Sequence, residues 1–213
     1  MHFLITAGGT REYIDPVRFI SNASSGKMGY CLAKAALQAG HRVTLITAPT
    51  NLTPPAKAKV INVQTSAEMF SAVKNNFAEC DCLIMAAAVS DYTPVKKSKI
   101  KIKKAKTDLI LRLKPTLDIL KWAGKRKAKS KKQKAKTVVG FALEDKNLRG
   151  NAEKKLREKN LDMIIANKPA SIGSDKSSVE IKMAGGNWVK ISQGSKAAIA
   201  KKIIKLIDAM RRV

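Results

Sequence analysis

Long apolar runs, cysteines, aromatics and acidic residues are all in short supply in this chain. No apolar run reaches the roughly 18 residues that a membrane-spanning helix requires, which excludes an integral membrane protein of the helical kind. Three cysteines, Cys31, Cys80 and Cys82, are too few for a disulfide framework, and Cys80-Asp81-Cys82 has no second pair to complete a zinc site. They sit within apolar patterns and read as core residues rather than nucleophiles. His2 and His41 form no triad or metal constellation; His2 reads as strand packing and His41 as the residue after a helix cap. Aromatics make up 5% and lack the basic–aromatic interleaving of single-strand nucleic-acid binders. The opening MHFLITAGGT has neither a basic n-region nor a long apolar h-region, so no secretory signal is read and a cytoplasmic, reducing compartment is expected.

Acids number 16 against 42 Lys and Arg, a formal net charge of +26. The surplus is concentrated, because residues 95–136 hold 18 Lys and Arg against 2 acids. That balance points to an anionic partner; charge alone does not choose among nucleic acid, a membrane surface and a phosphorylated metabolite. Hydrophobic residues at 45% of 213 suffice for a real core, so wholesale disorder is excluded. The length fits one α/β domain over 1–213, with 95–136 as a lysine-rich insertion.

Short β-branched runs alternate with helical patterns over the first two-thirds. Strands are predicted at His2–Ala7, Arg42–Thr47, 59–64, 82–88, 138–142 and 163–166. Helices are predicted from Gly26 to a C′ glycine at Gly40, over SAEMFSAVKNNF after the capping box Thr65–Glu68, and over 149–159. This order argues for a mostly parallel, doubly wound sheet. Two antiparallel hairpins are predicted as well, 100–103 with 109–113 and 179–183 with 188–191, the second around Gly185-Gly186-Asn187. A Lys-rich amphipathic helix closes the chain over 195–210, and 121–136 reads as a solvated helix end plus loop.

Both standard nucleotide loops fail. Gly8-Gly9 is not followed by G-x-G-x-x-G spacing, and Gly26-Lys27 precedes Met28 where Ser or Thr would bind magnesium. What remains is SNASSGKMG at 21–29, either an anion site at a helix N-terminus or an ordinary Ser N-cap. Asp91, after the apolar run at 82–88, is either a ligand group beyond a strand's carboxyl end or a turn residue. Lys101 and Lys103 share a strand face in alternation, able to neutralise a triphosphate or serving as a solvated edge. Lys155 and Lys159, four apart, share one helix face and could both reach phosphates.

Taken in order, ITAGGTRE (5–12), IDPVRFISN (14–22), SSGKMG (24–29), AAAVSDY (86–92), KIKK (101–104) and VGFA (139–142) closely resemble phosphopantothenate–cysteine ligase of the bacterial type. The likeness runs from about residue 2 to Asn167 and is weaker in the final hairpin and helix. It implies a Rossmann-like doubly wound sheet with an antiparallel flap or dimerisation hairpin, a C-terminal hairpin plus helix, and a reaction in coenzyme A synthesis that joins 4′-phosphopantothenate to L-cysteine. In that reaction the pantothenate carboxylate attacks the α-phosphate of CTP, assisted by Mg²⁺, giving an acyl-cytidylate and pyrophosphate. The cysteine amine then displaces CMP. The resemblance implies that Asn22, supported by Arg18, assists the second half-reaction, and that Lys101 grips the triphosphate from a mobile flap. It implies nucleotide contacts from Met85, Ala86, Ala87, Asp91, Leu117, Asp118, Ile119, Leu120, Phe141, Lys155 and Lys159, and substrate contacts from Asn22, Ser24, Ser25 and Gly26. No protein-held metal is implied.

The family is often fused behind a flavin-dependent decarboxylase. With nothing upstream of Met1, this chain is expected to supply only the ligase step, as a homodimer, with a separate decarboxylase acting next in the pathway. Three departures from the family pattern stand out: Ala23 for a larger polar or basic residue, Leu117 for proline, and IGSD at 172–175, which only partly keeps the family's F-x-S-D-x-N pattern. Two other classes remain open, a basic nucleic-acid-binding module using 95–136 and an NAD(P)-dependent oxidoreductase. The second lacks both the glycine fingerprint and a Tyr-x-x-x-Lys pair.

Overall fold

The computed structural model describes residues 1–128, 136–174 and 176–211. In chain order the elements are β1 (His2–Ala7), β2 (Arg11–Tyr13), β3 (Phe19–Ser21), α1 (Lys27–Gln38), β4 (Arg42–Thr47), β5 (Lys59–Asn62), α2 (Ser66–Phe77), β6 (Cys82–Met85), β7 (Tyr92–Pro94), β8 (Leu113–Pro115) and α3 (Ile119–Ala128). They continue with β9 (Thr137–Leu143), α4 (Leu148–Glu158), β10 (Met163–Asn167), a 3₁₀ turn at Pro169–Ser171, β11 (Lys176–Met183), β12 (Trp188–Ser195) and α5 (Lys196–Met210).

One eight-stranded sheet runs β12-β11-β10-β9-β6-β1-β4-β5. The six strands from β10 to β5 are parallel, and β11 and β12 extend the sheet antiparallel. β1, β6, β9 and β10 are apolar and buried on both faces, as a parallel sheet between two helical layers demands. α1 and α5 cover one face, where Leu32, Ala36, Ile199 and Ile203 are buried. α2, α3 and α4 cover the other through Met69, Val73, Ala123 and Leu156. The chain builds outward from β1 to β4 and β5, then crosses to β6 on the opposite side. That reversal leaves a crevice at the carboxyl ends of β1 and β6, where open α/β sheets bind ligands.

The helix expectations hold. Thr65 accepts from Glu68 N at 3.2 Å to cap α2, and Glu68 returns a contact to Gln64 N at 2.8 Å. Gly40 adopts φ 79° just past α1. The last hairpin forms as β11 and β12, around Gly185 at φ 73°. α3 runs over Ile119–Ala128, so 121–136 opens on a helix end as expected, and positions 129–135 of that stretch lie outside the described residues.

The hairpin expected from 100–103 and 109–113 does not form. β7 instead pairs with β8, Tyr92 opposite Pro115 and Pro94 opposite Leu113, and 95–112 contains no strand. The alternation there has no core to face, since Ile100 is 77% and Ile110 85% exposed. A two-stranded ribbon without an apolar floor has little to hold it. β6 likewise ends at Met85 rather than at residue 88. The small residues after it leave the sheet to lie along the glycine loop, with Ala88 N donating to Gly8 O at 2.8 Å and Ala87 N to Thr6 Oγ1 at 3.1 Å.

Candidate functional site

A cleft of about 810 Å³ opens at the crevice between β1 and β6. Its floor is Met85, Ala86 and Ala87. One wall is the segment leading into α1, with Asn22, Ser24, Ser25 and Gly26; the facing wall carries Leu117, Asp118, Ile119 and Leu120 at the start of α3. Phe141 of β9, with Lys155 and Lys159 of the α4 end, completes it, and Asp91 stands exposed at the rim.

The α1 wall suits an anion. Gly26 occupies the N-cap in the left-handed region at φ 75°, and no side chain caps the helix. A Cβ there would sit 2.7 Å from the Thr50 methyl, so a serine cap at this position is sterically blocked. Ser24 Oγ and Ser25 Oγ instead accept from Gly26 N at 3.3 Å and Lys27 N at 3.4 Å. The helix therefore presents its dipole's positive end to the cleft.

Hydroxyl groups hold the rim. Thr10 Oγ1 accepts from Ser90 N at 2.9 Å, and Thr116 Oγ1 donates to Ser90 O at 2.7 Å. Thr116 N donates to Asp91 O at 2.9 Å, fixing the Asp91 backbone while its carboxylate faces solvent. Asn22 Nδ2 donates to Val89 O at 3.0 Å, which ties the α1 wall to the same turn and leaves the amide oxygen of Asn22 for another partner.

The far wall is cationic. Lys155 Nζ donates to Phe141 O at 2.8 Å, and Lys159 Nζ lies 2.9 Å from Asp118 Oδ2. Burial pushes the Lys155 ammonium below its usual range and Lys159 adds to the effect, while Glu144, Asp118 and Asp91 oppose it. Burial works to raise the Asp118 carboxyl, but the hydrogen bonds from Lys159 and Lys121 N outweigh it and the net direction is downward. Two ammonium groups on one wall repel, so an entering phosphate relieves a standing penalty. Among the described residues no group of three or more His, Cys, Asp and Glu could hold a metal ion. The cleft's carboxylates are too scattered for an all-protein cage.

Residues 1–210 match the profile of the DNA/pantothenate metabolism flavoprotein C-terminal domain. The chain belongs to that family. It is 42% identical over 216 residues to the coenzyme A biosynthesis bifunctional protein CoaBC of Bacillus subtilis (strain 168), covering 99% of this chain and 52% of that one. The chain thus spans about half the length of the curated relatives it matches. A crystal structure of the C-terminal domain of CoaBC superposes with a TM-score of 0.83 at 35% identity, covering 99% of this chain and 95% of the other. The Cab2 mutant H337A in complex with phosphopantothenate-cysteine shares the fold, with a TM-score of 0.79 at 20% identity over 98% of this chain and 85% of that one.

Two of the expected site residues of this flavoprotein C-terminal domain stand outside the cleft. Lys101 is exposed on the 95–112 excursion and does not line it. Arg18 lies in the β2–β3 turn, donating from Nη1 to Asp15 Oδ2 at 2.7 Å and to Ile102 O at 3.0 Å. Burial works to raise the Asp15 carboxyl, but the N–H groups of Val17, Arg18 and Ile102 outweigh it and hold it below the usual range. Ile119 and Leu120 are almost fully buried and act as backing of the wall. Sequence reasoning missed Thr10, Ser90 and Thr116, whose roles depend on loops distant in sequence meeting. It also missed Lys196, at the start of α5, which is buried at the cleft although the lysine-rich helix gives no sign of it. Asp175 of the divergent 172–175 segment lies outside the described residues, whereas Ile172 and Gly173 line the cleft.

Proposed function

We propose that this chain is a phosphopantothenate–cysteine ligase that activates 4′-phosphopantothenate with CTP and joins it to L-cysteine. The reading is carried by one observation: the α1 N-terminus, Asn22, Asp91 and the Lys155/Lys159 pair converge on a single cleft at the sheet's reversal point in a member of this family. The α1 N-terminus and the serines before it suit a substrate phosphate or carboxylate. The alanine floor allows a nucleotide close approach to the backbone, and Phe141 offers a face to the base. Asp91 would hold the ribose or base side, and Lys155 and Lys159 would take phosphate charge.

In the first step the pantothenate carboxylate oxygen bonds to the α-phosphorus and the bond to the bridging oxygen breaks, releasing pyrophosphate. In the second the cysteine amine attacks the acyl carbonyl, CMP leaves with the C–O electron pair, and the amine loses a proton. In this reading the Asn22 amide oxygen would orient that amine. Mg²⁺ accompanying the triphosphate would shield its charge, and Asp91, Asp118 and Glu144 are the carboxylates in the lining.

Lys101 reaches the triphosphate in this reading by movement of the excursion or across a twofold pairing of two chains. Exposed Tyr92, Val95, Ile100, Leu109, Ile110 and Leu113, all on or beside that excursion, support such a dimer. The dinucleotide alternative is disfavoured because β1 leads into the β2–β3 hairpin rather than straight into a helix. Incubating the purified chain with 4′-phosphopantothenate, cysteine and CTP tests the reading. Pyrophosphate release is expected, with tighter calorimetric binding of CTP than of ATP or NADPH, and absence of pyrophosphate overturns it. Sedimentation velocity tests the dimer.

A further inference from the structure

Asp15 has no exposed surface, yet it does not sit in the cleft. Its two oxygens divide their work. Oδ1 accepts from Val17 N at 2.8 Å and Arg18 N at 2.7 Å, which closes the β2–β3 turn. Oδ2 accepts from Arg18 Nη1 at 2.7 Å and from Ile102 N at 3.1 Å. Arg18 Nη1 also donates to Ile102 O at 3.0 Å, so both backbone polar groups of Ile102 are gripped by one ion pair. Ser98 N adds a bond to Ile14 O at 2.9 Å, and Lys97 Nζ lies 4.9 Å from the centre of the Tyr13 ring. Ile102 is the half-buried residue of a stretch whose neighbours, Lys101, Lys103 and Lys104, are all exposed.

The lysine excursion is therefore a docked strap, tied at Ser98 and gripped on both backbone groups at Ile102, next to Lys101. Nothing about Asp15 is needed for the sheet, because the hairpin lies outside it. A buried carboxylate receiving four donors is a costly arrangement unless each bond is kept. The same hairpin ends at Ser21, directly before Asn22 in the cleft wall, so strap and wall share one support.

We propose that Asp15 is the positioning residue of the lysine strap, holding Ile102 through Oδ2 and Arg18 so that Lys101 is presented from a fixed root. This assignment rests on the ligase reading for its consequence in catalysis, though not for the clamp itself. Arg18 stays paired with Asp15 whether or not the strap is docked, so undocking breaks its bond to Ile102 O alone.

Asp15→Asn separates the two oxygens. An amide oxygen in the Oδ1 place keeps both turn bonds, while the NH₂ group then opposes the Ile102 N–H and the Arg18 guanidinium. Trypsin cleavage after Lys99, Lys103 and Lys104, followed by mass spectrometry, is expected to accelerate about tenfold, the ratio for one lost charge-assisted hydrogen bond. Pyrophosphate release with CTP is expected to slow by about the same factor with a raised KM for CTP, while amide formation from preformed acyl-cytidylate is unchanged. Ile102→Pro removes the N–H donor without touching Asp15 and gives the same pattern after Lys103 and Lys104 if Asp15→Asn does not fold. Wild-type cleavage rates in the strap overturn the clamp. Faster cleavage with both half-reactions slowed equally overturns the positioning of Lys101. Should the wild-type chain release no pyrophosphate, the ligase reading falls, and strap cleavage still decides whether Asp15 holds Ile102.

Discussion

Lys155 shows how a single side chain can be set for an anion. It is partly buried, hydrogen-bonded to the Phe141 carbonyl and next to a second ammonium, and its charged form is held less comfortably than in water. Lys155→Met should weaken CTP binding by about 10- to 100-fold, since a hydrogen bond to a charged group contributes about 1.5–3 kcal/mol. Calorimetric titration checks this, and an unchanged affinity would remove Lys155 from the nucleotide's contacts. Asn22 and Lys101 should divide by step. Lys101→Gln is expected to slow cytidylate formation and Asn22→Asp chiefly amide formation; rapid-quench assays of the two half-reactions measure each, and equal losses at both steps would undo the division.

At the level of elements, close packing sets the limits. Gly29 lets α1 lie directly on β1, because a Cβ there would stand 2.5 Å from Ala7 Cβ and 2.9 Å from Thr6 O. Gly29→Ala should destabilise by about 1–3 kcal/mol, read from urea unfolding. Thr65→Ala removes the α2 cap and should cost about 1 kcal/mol, a fall in Tm of about 2–4 °C for a chain of this size. Elements of this kind were legible in the sequence because their signals are local: β-branched runs, a capping box, a glycine after a helix. The 100–113 region was not, since period-two alternation reports a strand only when one face finds a core, and Ile100 finds none. The floor, the α1 wall and the Lys155/Lys159 spacing were legible for the same local reason. Lys196 and the Thr10–Ser90–Thr116 contacts were not, as they arise where remote segments meet.

Across the whole molecule, charge governs the response to solution conditions. Asp15 and Asp118 are held below the ordinary 3.8, and His2 below 6.5, chiefly by burial in the case of His2. In each case the unfolded chain takes up its proton at higher pH than the folded chain, so stability is fully present above the ordinary value and declines as pH falls through it. Thermal melts should therefore show a first loss below pH 6.5, reduced in His2→Gln, and a second below pH 3.8. A net charge of +26 also repels itself, and added salt should raise Tm at neutral pH. The nucleic-acid reading makes a different demand on the same charge, namely duplex affinity that survives about 0.15 M salt. Gel-shift titration at that ionic strength decides it.

α5 follows every strand of the sheet in chain order, yet it supplies Ile199, Ile203, Ile204 and Ile207 to one face of the sheet and Lys196 to the cleft. During translation, then, the parallel strands and the α1 wall are already out of the ribosome while the pocket still lacks a side. A nascent chain halted at Ser195 would expose an uncovered apolar face and an unfinished cleft, a target for chaperones rather than a slow enzyme. Competence waits on the docking of α5.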